Sequence, residues 1–176
     1  MKHLILIRHG QSEWNQQKRF TGWVDVGLTD KGRAEAKKAG ELIKEKKIKL
    51  DSFYSSYQKR ANDTLKIIMK ELNEDENLIT KKWQLNERHY GELTGLNKED
   101  MKKKYGEKKI HQFRRSWDVK PGALDRKSPY HPLNIETYKD IPVSDIPDTE
   151  SLKDTHKRVV DLSLIHISEP TRRSRI

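Results

Sequence analysis

MKHLILIRHGQSEWN, residues 1–15, runs four apolar residues directly into an arginine, a histidine and a glycine. A continuous apolar run stopped by glycine is typical of a buried strand, and it predicts one over His3–Arg8. Ligands of open α/β sheets bind beyond the carboxyl ends of the strands. The stretch therefore puts Arg8 and His9 where a ligand could be bound. It also puts Gly10 where the backbone can approach that ligand closely.

The composition indicates one polar globular domain. The chain has 176 residues, of which 32% are hydrophobic and 36% charged, yet its apolar residues are periodic, which argues against disorder. We find neither a run of roughly 20 apolar residues nor a secretion signal, and so expect no membrane partner. The sequence contains no cysteine. This excludes disulfides, thiolate metal sites and a cysteine nucleophile, and it favours the cytoplasm.

The net charge of +10 raises the question of an anionic partner. Lysine runs such as residues 44–47 include acidic residues, as expected of a solvated surface, whereas arginine is the better planar ligand for phosphate. One basic and aromatic group would suit nucleic acid: Lys103, Lys104, Tyr105, Lys108, Lys109, Arg114, Arg115 and Trp117. Because acids interrupt the lysines and no nucleic-acid motif is present, we expect a small phosphorylated molecule and no nucleic acid.

Predicted helices and strands alternate along the rest of the chain, which favours an α/β fold with a mostly parallel sheet. A long proline-rich connection interrupts this pattern, and connections of that length are often functional. In order, the sequence predicts a helix over 31–46 capped by Thr29 or Asp30, a strand over 52–55, a helix over 58–72, an extended segment over 78–83, a helix from the cap Asn97 to Tyr105, a helix over 107–117, the connection 118–148 and a helix over 150–160.

Three residues suggest phosphoryl chemistry even before any family resemblance is considered. Neutral imidazole is a usable nucleophile near pH 7, so His9 could take up phosphate with Arg8 orienting it. Arg60 opens a helix just after a strand, and so it could reach the same sheet edge. A histidine or arginine can also stand at an element end for structural reasons, and the spacing leaves that alternative open.

A carboxylate and an arginine pair extend the hypothesis. Glu87, at an element end, could act as general acid and base, or it could form a salt bridge to Arg88. Arg114 and Arg115 cannot point the same way from one helix, yet they could bracket an anion at a cleft rim. A solvated basic helix face is the alternative for this pair.

Five stretches in order, RHGQSEWN (8–15), FTGW (20–23), LTDKG (28–32), LNERHYGELTGLNK (85–98) and QFRRSW (112–117), closely resemble the 2,3-bisphosphoglycerate-dependent phosphoglycerate mutases of the histidine phosphatase superfamily. The resemblance extends over residues 1–160. It implies a three-layer sandwich around a mostly parallel central sheet. It further implies interconversion of 2- and 3-phosphoglycerate in glycolysis and gluconeogenesis, primed by 2,3-bisphosphoglycerate and without a metal. The family is commonly dimeric or tetrameric, so a homodimer or homotetramer is expected.

The resemblance also implies roles for individual residues. His9 would carry the phosphoryl group as phosphohistidine, Glu87 would exchange protons with the substrate hydroxyls, and Arg8 and Arg60 would hold the transferred phosphate. A bisphosphorylated intermediate would turn round in the site, from which water must be kept out. The connection 118–148 is the predicted cover. The other implied substrate-binding residues are Gly10, Gln11, Ser12, Glu13, Trp14, Asn15, Thr21, Gly22, Arg88, His89, Tyr90, Lys98, Arg114 and Arg115.

The resemblance ends near residue 160. The family carries a second catalytic histidine in an Ala-His-Gly-Asn sequence that is not found here, and His166 is followed by Ile167 and Ser168 instead. We therefore expect a phosphoglycerate-mutase-like domain over 1–160, lacking its C-terminal strand and helices, and an unrelated tail over 161–176. The loss of a strand beside residues 4–8 predicts poor folding and little mutase activity. A histidine phosphatase on the same fold and an inactive fragment are the alternatives.

Overall fold

A computed structural model describes residues 4–168, and side chains as far as residue 162. Within this range the elements are the helices α1 (Glu13–Gln16), α2 (Asp30–Glu45), α3 (Lys59–Leu72), α4 (Lys98–Tyr105), α5 (Glu107–Arg115) and α6 (Leu152–Ser168), and the strands β1 (Phe53–Ser55) and β2 (Ile79–Lys81). Short 3-10 turns cover Glu76–Leu78, Trp83–Leu85, Gly91–Leu93, Pro132–Asn134, Glu136–Tyr138 and Val143–Asp145.

The predictions for the first four long helices are confirmed to within one or two residues. The Thr29 hydroxyl accepts a hydrogen bond from the Gly32 amide at the start of α2, and the Asn97 side chain accepts from the Glu99 and Asp100 amides at the start of α4. Helices α2 and α3 pack on each other, with Gly40 of α2 close to the backbone of Ile68 in α3. Caps and apolar spacing are local signals, which is why the sequence locates these elements well.

The sheet is small and parallel. Strand β1 pairs with β2 in the register Phe53↔Ile79, Tyr54↔Thr80 and Ser55↔Lys81, and α3 forms the crossover between them. This confirms an α/β fold with parallel strands.

The strand predicted over His3–Arg8 is not formed. His3 lies outside the described residues, and residues 4–10 have no strand pairing. Leu4 is 69% exposed, Leu6 85% and Ile7 43%. An apolar run becomes a buried strand only if neighbouring strands pair with its amides and carbonyls and other elements cover its faces. No neighbour in the described part of the chain does this.

The connection 118–148 contributes to the core. Tyr138, Ile141 and Ile146 from this segment form a buried cluster with Trp23. The Tyr138 hydroxyl donates to the Trp23 carbonyl across 2.5 Å. The described contacts of this segment include residues 23–25 and 89–92, and through Tyr130 they also include Trp14 and Arg19; none of them is with His9. The segment therefore packs against loops that carry predicted site residues, and its role as a cover stays a prediction.

The last helix is longer than predicted. Ser151 and Asp154 exchange hydrogen bonds at its start, and α6 continues as helical backbone through residue 168. The helix thus crosses residue 160, the predicted domain boundary, without a break. The His166 side chain and residues 169–176 lie outside what is described, so the predictions about the tail remain predictions. In the described chain, no helix has the length and apolar character needed to cross a membrane.

Candidate active site

The backbone at residues 9 and 10 is fixed by α2 and α3. The Gly10 amide donates to Thr64 Oγ1 across 3.1 Å, and that hydroxyl donates to the Arg60 carbonyl across 2.8 Å. A Cβ added to Gly10 would lie 2.1 Å from the Gly32 carbonyl oxygen. Gly10 is therefore needed for the close approach of this backbone to α2, whereas the sequence predicts for it a close approach to a ligand.

The His9 imidazole is held in one tautomer. Its Nδ1 lies 2.7 Å from the Gly10 carbonyl oxygen and donates to it, so Nε2 keeps its lone pair. Arg60 Nε donates to that Nε2 across 3.2 Å. Burial lowers the pKa of His9, and the Arg60 charge lowers it further against the opposing Gly10 hydrogen bond. The ring is thus neutral near pH 7 and presents Nε2 as a nucleophile.

Arg60 is the fully buried centre of the site. From the first turn of α3, its guanidinium donates to the carbonyls of Gly22 at 2.8 Å and Val24 at 3.0 Å. It also donates from Nη2 to Glu87 Oε2 across 2.8 Å. The structure therefore brings together the predicted nucleophile, arginine and carboxylate. The alternative salt bridge from Glu87 to Arg88 is not formed, because Arg60 occupies that role.

Two supports of Glu87 were not found from the sequence. The Glu87 amide donates to Gln58 Oε1 across 3.1 Å, and Gln58 Nε2 donates to the Gly22 carbonyl across 2.8 Å. On the other side, Arg158 Nη2 donates to the Glu87 carbonyl across 3.2 Å. Gln58 stands at the cap position of α3, which is the one local signal that could have singled it out; Arg158 is an ordinary residue of an amphipathic helix.

A cluster of cations lies around Glu87 and Tyr90. Burial lowers the pKa of Lys98, and the charges of Arg114 and Arg8 lower it further, so these three cations share one electrostatic environment. Burial likewise raises the pKa of the Tyr90 hydroxyl. Positive charges gathered in this way favour an anionic ligand.

Two buried polar side chains have hydrogen-bonding capacity to spare. The Arg88 guanidinium stacks 4.9 Å from the Tyr90 ring centroid. Its Nε and Nη1, and the buried Thr21 hydroxyl, have no hydrogen-bond partner among the described residues. Since buried polar groups are normally paired, these atoms are candidate contacts for a ligand.

The other predicted binding residues are placed as follows. Ser12 and Asn15 cap α1 reciprocally, and Trp14 is buried beneath the Arg19 guanidinium, 3.8 Å from the ring centroid. Gln11 accepts a hydrogen bond from the Thr29 hydroxyl, whereas Glu13 and Arg115 are exposed. The described contacts of these side chains do not join them to His9.

His89 is buried away from this cluster. Its Nδ1 accepts from the Gly91 amide at 2.9 Å, and its ring centroid lies 6.1 Å from that of His131. Burial, followed by the neighbouring His131, lowers the pKa of His89 to about 3. The structure thus gives this predicted binding residue the surroundings of a core histidine. Among the described residues, no three acidic or histidine side chains converge in a group that could hold a metal ion.

The sequence matches one family and several named relatives. The family model described as histidine phosphatase superfamily (branch 1) matches residues 4–131. Over 160 residues, or 91% of this chain, a 2,3-bisphosphoglycerate-dependent phosphoglycerate mutase of Pelagibacter ubique is 68% identical. Proteins with the same name from Bacteroides fragilis and Borreliella burgdorferi are 48% and 51% identical over the same share of the chain. The chain spans 67% of the length of the first relative and 64% of the other two.

Solved structures share the fold at lower identity. "Mycobacterial hydrolase 1" superposes with a TM-score of 0.67 at 20% identity, covering 92% of this chain and 63% of that one. A mycobacterial glucosyl-3-phosphoglycerate phosphatase in complex with VO3 gives a TM-score of 0.65 at 21% identity, covering 92% and 66%. At these identities the likeness establishes the fold.

Proposed function

We propose, because the chain belongs to the histidine phosphatase superfamily (branch 1), that its site is the phosphoryl-transfer site of a 2,3-bisphosphoglycerate-dependent phosphoglycerate mutase, with the low mutase turnover that the loss of a strand predicts for this chain. The reaction would interconvert 2- and 3-phosphoglycerate. The observation that carries the proposal is the buried Arg60, which contacts both His9 Nε2 and Glu87 Oε2. A nucleophile, a fixed positive charge and a proton-transferring carboxylate are the groups that such a transfer needs.

His9 takes the phosphoryl group in the first half of the reaction. Its Nε2 lone pair attacks phosphorus, the N–P bond forms and the bond from phosphorus to the donor oxygen breaks. Glu87, in its protonated form, gives that oxygen a proton. In the second half, the Glu87 carboxylate removes the proton from an acceptor hydroxyl as this oxygen attacks the phosphorus held on His9. The carboxyl group of Glu87 thus returns to its protonated starting state after one proton donation and one proton acceptance.

Arg60 stabilises the charge that develops during transfer. Its Nε–H is aimed at His9 Nε2 in the free protein, and the same donor can bond a phosphoryl oxygen once that nitrogen binds phosphorus. Because the guanidinium is also held by two backbone carbonyls, it needs little reorganisation during the reaction.

The cationic surroundings suit the proposed priming molecule. 2,3-Bisphosphoglycerate supplies the first phosphoryl group when bound, and it carries two phosphates and a carboxylate. Arg8, Lys98 and Arg114 supply positive charge, while the unpaired donors of Arg88 supply directed hydrogen bonds. These observations support a polyanionic three-carbon ligand. The role of the remaining residues of 11–15 in binding it is part of the same proposal.

The cellular setting follows from the same proposal. A chain without cysteine suits a reducing compartment, so we place it in the cytoplasm. A homodimer or homotetramer is the assembly expected by resemblance to the family.

The test is to supply 2,3-bisphosphoglycerate labelled in its phosphoryl groups and to look for acid-labile label on His9. We expect label on the unmodified chain and on His156→Ala, whose imidazole is exposed on α6, and none on His9→Ala. A chase with 3-phosphoglycerate then separates the functions. Label recovered in 2-phosphoglycerate supports the mutase, whereas release as inorganic phosphate supports the phosphatase alternative. Absence of label on the unmodified chain would overturn the proposal in favour of an inactive fragment.

A further inference from the structure

We propose that Arg158 and Glu150 are positioning residues that hold the backbone on both sides of Glu87, an inference that rests on the proposed function for its catalytic meaning. Both residues come from the last part of the described chain, at and just before α6. Neither touches His9 or Arg60 among the described contacts. Their effect on the site would pass through residues 84–89, which carry the Glu87 carboxylate.

The two side chains form a buried, bidentate ion pair. Arg158 Nε lies 2.7 Å from Glu150 Oε1, and Nη2 lies 3.0 Å from Oε2. Their side chains are only 10% and 5% exposed. A buried pair of this kind adds little stability over apolar residues of the same volume, because both charges lose their hydration. A directing role is therefore a better physical reason for its presence than stability is.

The pair contacts three backbone groups of residues 84–89. Arg158 donates to the carbonyls of Gln84 and Glu87, and Glu150 Oε2 accepts from the His89 amide across 2.8 Å. Only residues 84 and 85 of this stretch belong to a 3-10 turn, and residues 86–89 are outside regular structure. The segment thus has few hydrogen bonds of its own to define its course.

Hydrogen bonds with two side chains consequently fix the backbone amide and the backbone carbonyl of Glu87. Gln58 accepts from its amide, and Arg158 donates to its carbonyl. Lysine could replace the charge of Arg158 but not its planar set of donors, which reaches a carboxylate and two carbonyls at once. Without the Arg158 guanidinium, the Glu87 carbonyl loses its hydrogen bond. We expect the Glu87 carboxylate then to move out of hydrogen-bonding range of Arg60.

The chemical consequence depends on the leaving group of the phosphoryl donor. Charging of His9 from 2,3-bisphosphoglycerate expels an alkoxide, which needs the Glu87 proton. Charging from p-nitrophenyl phosphate expels a stable phenolate, which does not. A displaced Glu87 would therefore slow the first reaction selectively.

The experiment measures His9 charging from both donors in Arg158→Gln, Arg158→Lys and Glu150→Gln. With 2,3-bisphosphoglycerate we expect roughly 100-fold slower charging in Arg158→Gln, a cost typical of misplacing a catalytic group by about 1 Å. Arg158→Lys and Glu150→Gln should lie between this variant and the unmodified chain. With p-nitrophenyl phosphate the change should stay within about twofold, since little proton transfer is needed. Equal slowing with both donors would overturn the inference.

Hydrogen exchange of the His89 amide provides a readout that needs no turnover. Its protection should fall in Glu150→Gln and Arg158→Gln, because Glu150 accepts from this amide and Arg158 orients Glu150. If the unmodified chain takes up no phosphoryl group, the proposed function fails, yet this measurement still decides whether the pair fixes the segment. Unchanged protection in both variants would overturn the positioning role by itself.

A matched control separates positioning from general loss of stability. Ile43→Ala removes buried volume in α2, a helix that none of the described hydrogen bonds of Arg158 or Glu150 reaches. At an equal loss in the free energy of unfolding, this control should slow charging from the two donors to the same extent. The ratio of the two charging rates should change only in the Arg158 and Glu150 variants.

Discussion

The buried guanidinium of Arg60 donates its Nε–H to Nε2 of His9 across 3.2 Å, while Nδ1 of the same ring donates to the Gly10 carbonyl. The imidazole is thereby fixed at both nitrogens before any ligand arrives. Through Nη2 the guanidinium also holds Glu87, so the nucleophile and the proton-transferring carboxylate are set relative to one buried group. Preorganisation of this kind reduces the rearrangement needed in the transition state.

Arg60→Lys should strongly reduce the rate at which His9 is charged. A lysine ammonium on this backbone cannot contact His9, Glu87 and two carbonyls together, so the buried carbonyls lose donors and the ring loses its orientation. We expect a roughly 100-fold slower uptake of label, comparable with the loss of one preorganised donor. The rate of His9 labelling is measured by quenching the reaction with labelled 2,3-bisphosphoglycerate at a series of times.

Arg33→Lys is the matched control for this substitution, because Arg33 is exposed on α2. Its charging rate should equal that of the unmodified chain. A normal rate in Arg60→Lys would show that positive charge alone suffices at the site.

Gly32→Ala should destabilise the fold at the contact that positions His9. The added methyl group would lie 2.1 Å from the Gln11 carbonyl oxygen, which is backbone and cannot swing away. The gain in helix propensity, about 1 kcal/mol, is smaller than the roughly 3 kcal/mol expected for this overlap. Urea unfolding gives the difference in the free energy of unfolding.

Gly27→Ala is the comparison, since its added methyl group would meet only the flexible Glu13 side chain, at 3.2 Å. The free energy of unfolding should change by no more than roughly 0.5 kcal/mol. Equal effects of the two substitutions would contradict the steric explanation.

Much of the site could be predicted because its elements carry local signals. Arg60 follows a strand and opens a helix, and the same reasoning placed it near His9, where the structure has it. The partner of Glu87 could not be predicted in this way, because Arg88 is adjacent in sequence whereas Arg60 comes from another element. The role of Arg158 could not be predicted for the same reason, since 71 residues of sequence separate it from the Glu87 carbonyl that it contacts.

The fold shows the same division between local and distant causes. The helix cap at Thr29 and the apolar spacing of α3 are encoded within a few residues, and these elements were located correctly. The apolar run at residues 4–7 predicts a buried strand, but a strand also needs neighbours from elsewhere in the chain. Among the described residues no strand pairs with this segment, and Leu6 is accordingly 85% exposed.

His89 should make stability pH-dependent in mildly acidic solution. Its pKa of about 3 in the folded chain lies below the ordinary value of 6.5, so the unfolded chain binds the extra proton first. Stability is therefore lost as the pH falls from 6.5 towards 3, by up to about 1.4 kcal/mol per pH unit. Between pH 7 and pH 5, His89→Gln should lose about 2 kcal/mol less in the free energy of unfolding than the unmodified chain.

Urea titrations at the two pH values supply this comparison. His111→Gln, at an exposed position on α5, should keep the pH dependence of the unmodified chain. If His89→Gln also keeps it, the buried ring is not the source of the acid sensitivity.

Leu6→Ser should have little effect on the free energy of unfolding, although it places a polar group in the most apolar run of the N-terminus. Leu6 is 85% exposed, so the substitution removes almost no buried surface, and the change should stay within roughly 0.5 kcal/mol. Ile68→Ala, at a residue 2% exposed in α3, should cost about 3 kcal/mol in the same urea titration. The solubility of Leu6→Ser should rise, because an exposed apolar segment without strand partners promotes association between chains. A cost for Leu6→Ser comparable with that of Ile68→Ala would mean that residues 4–8 pack as a strand in solution.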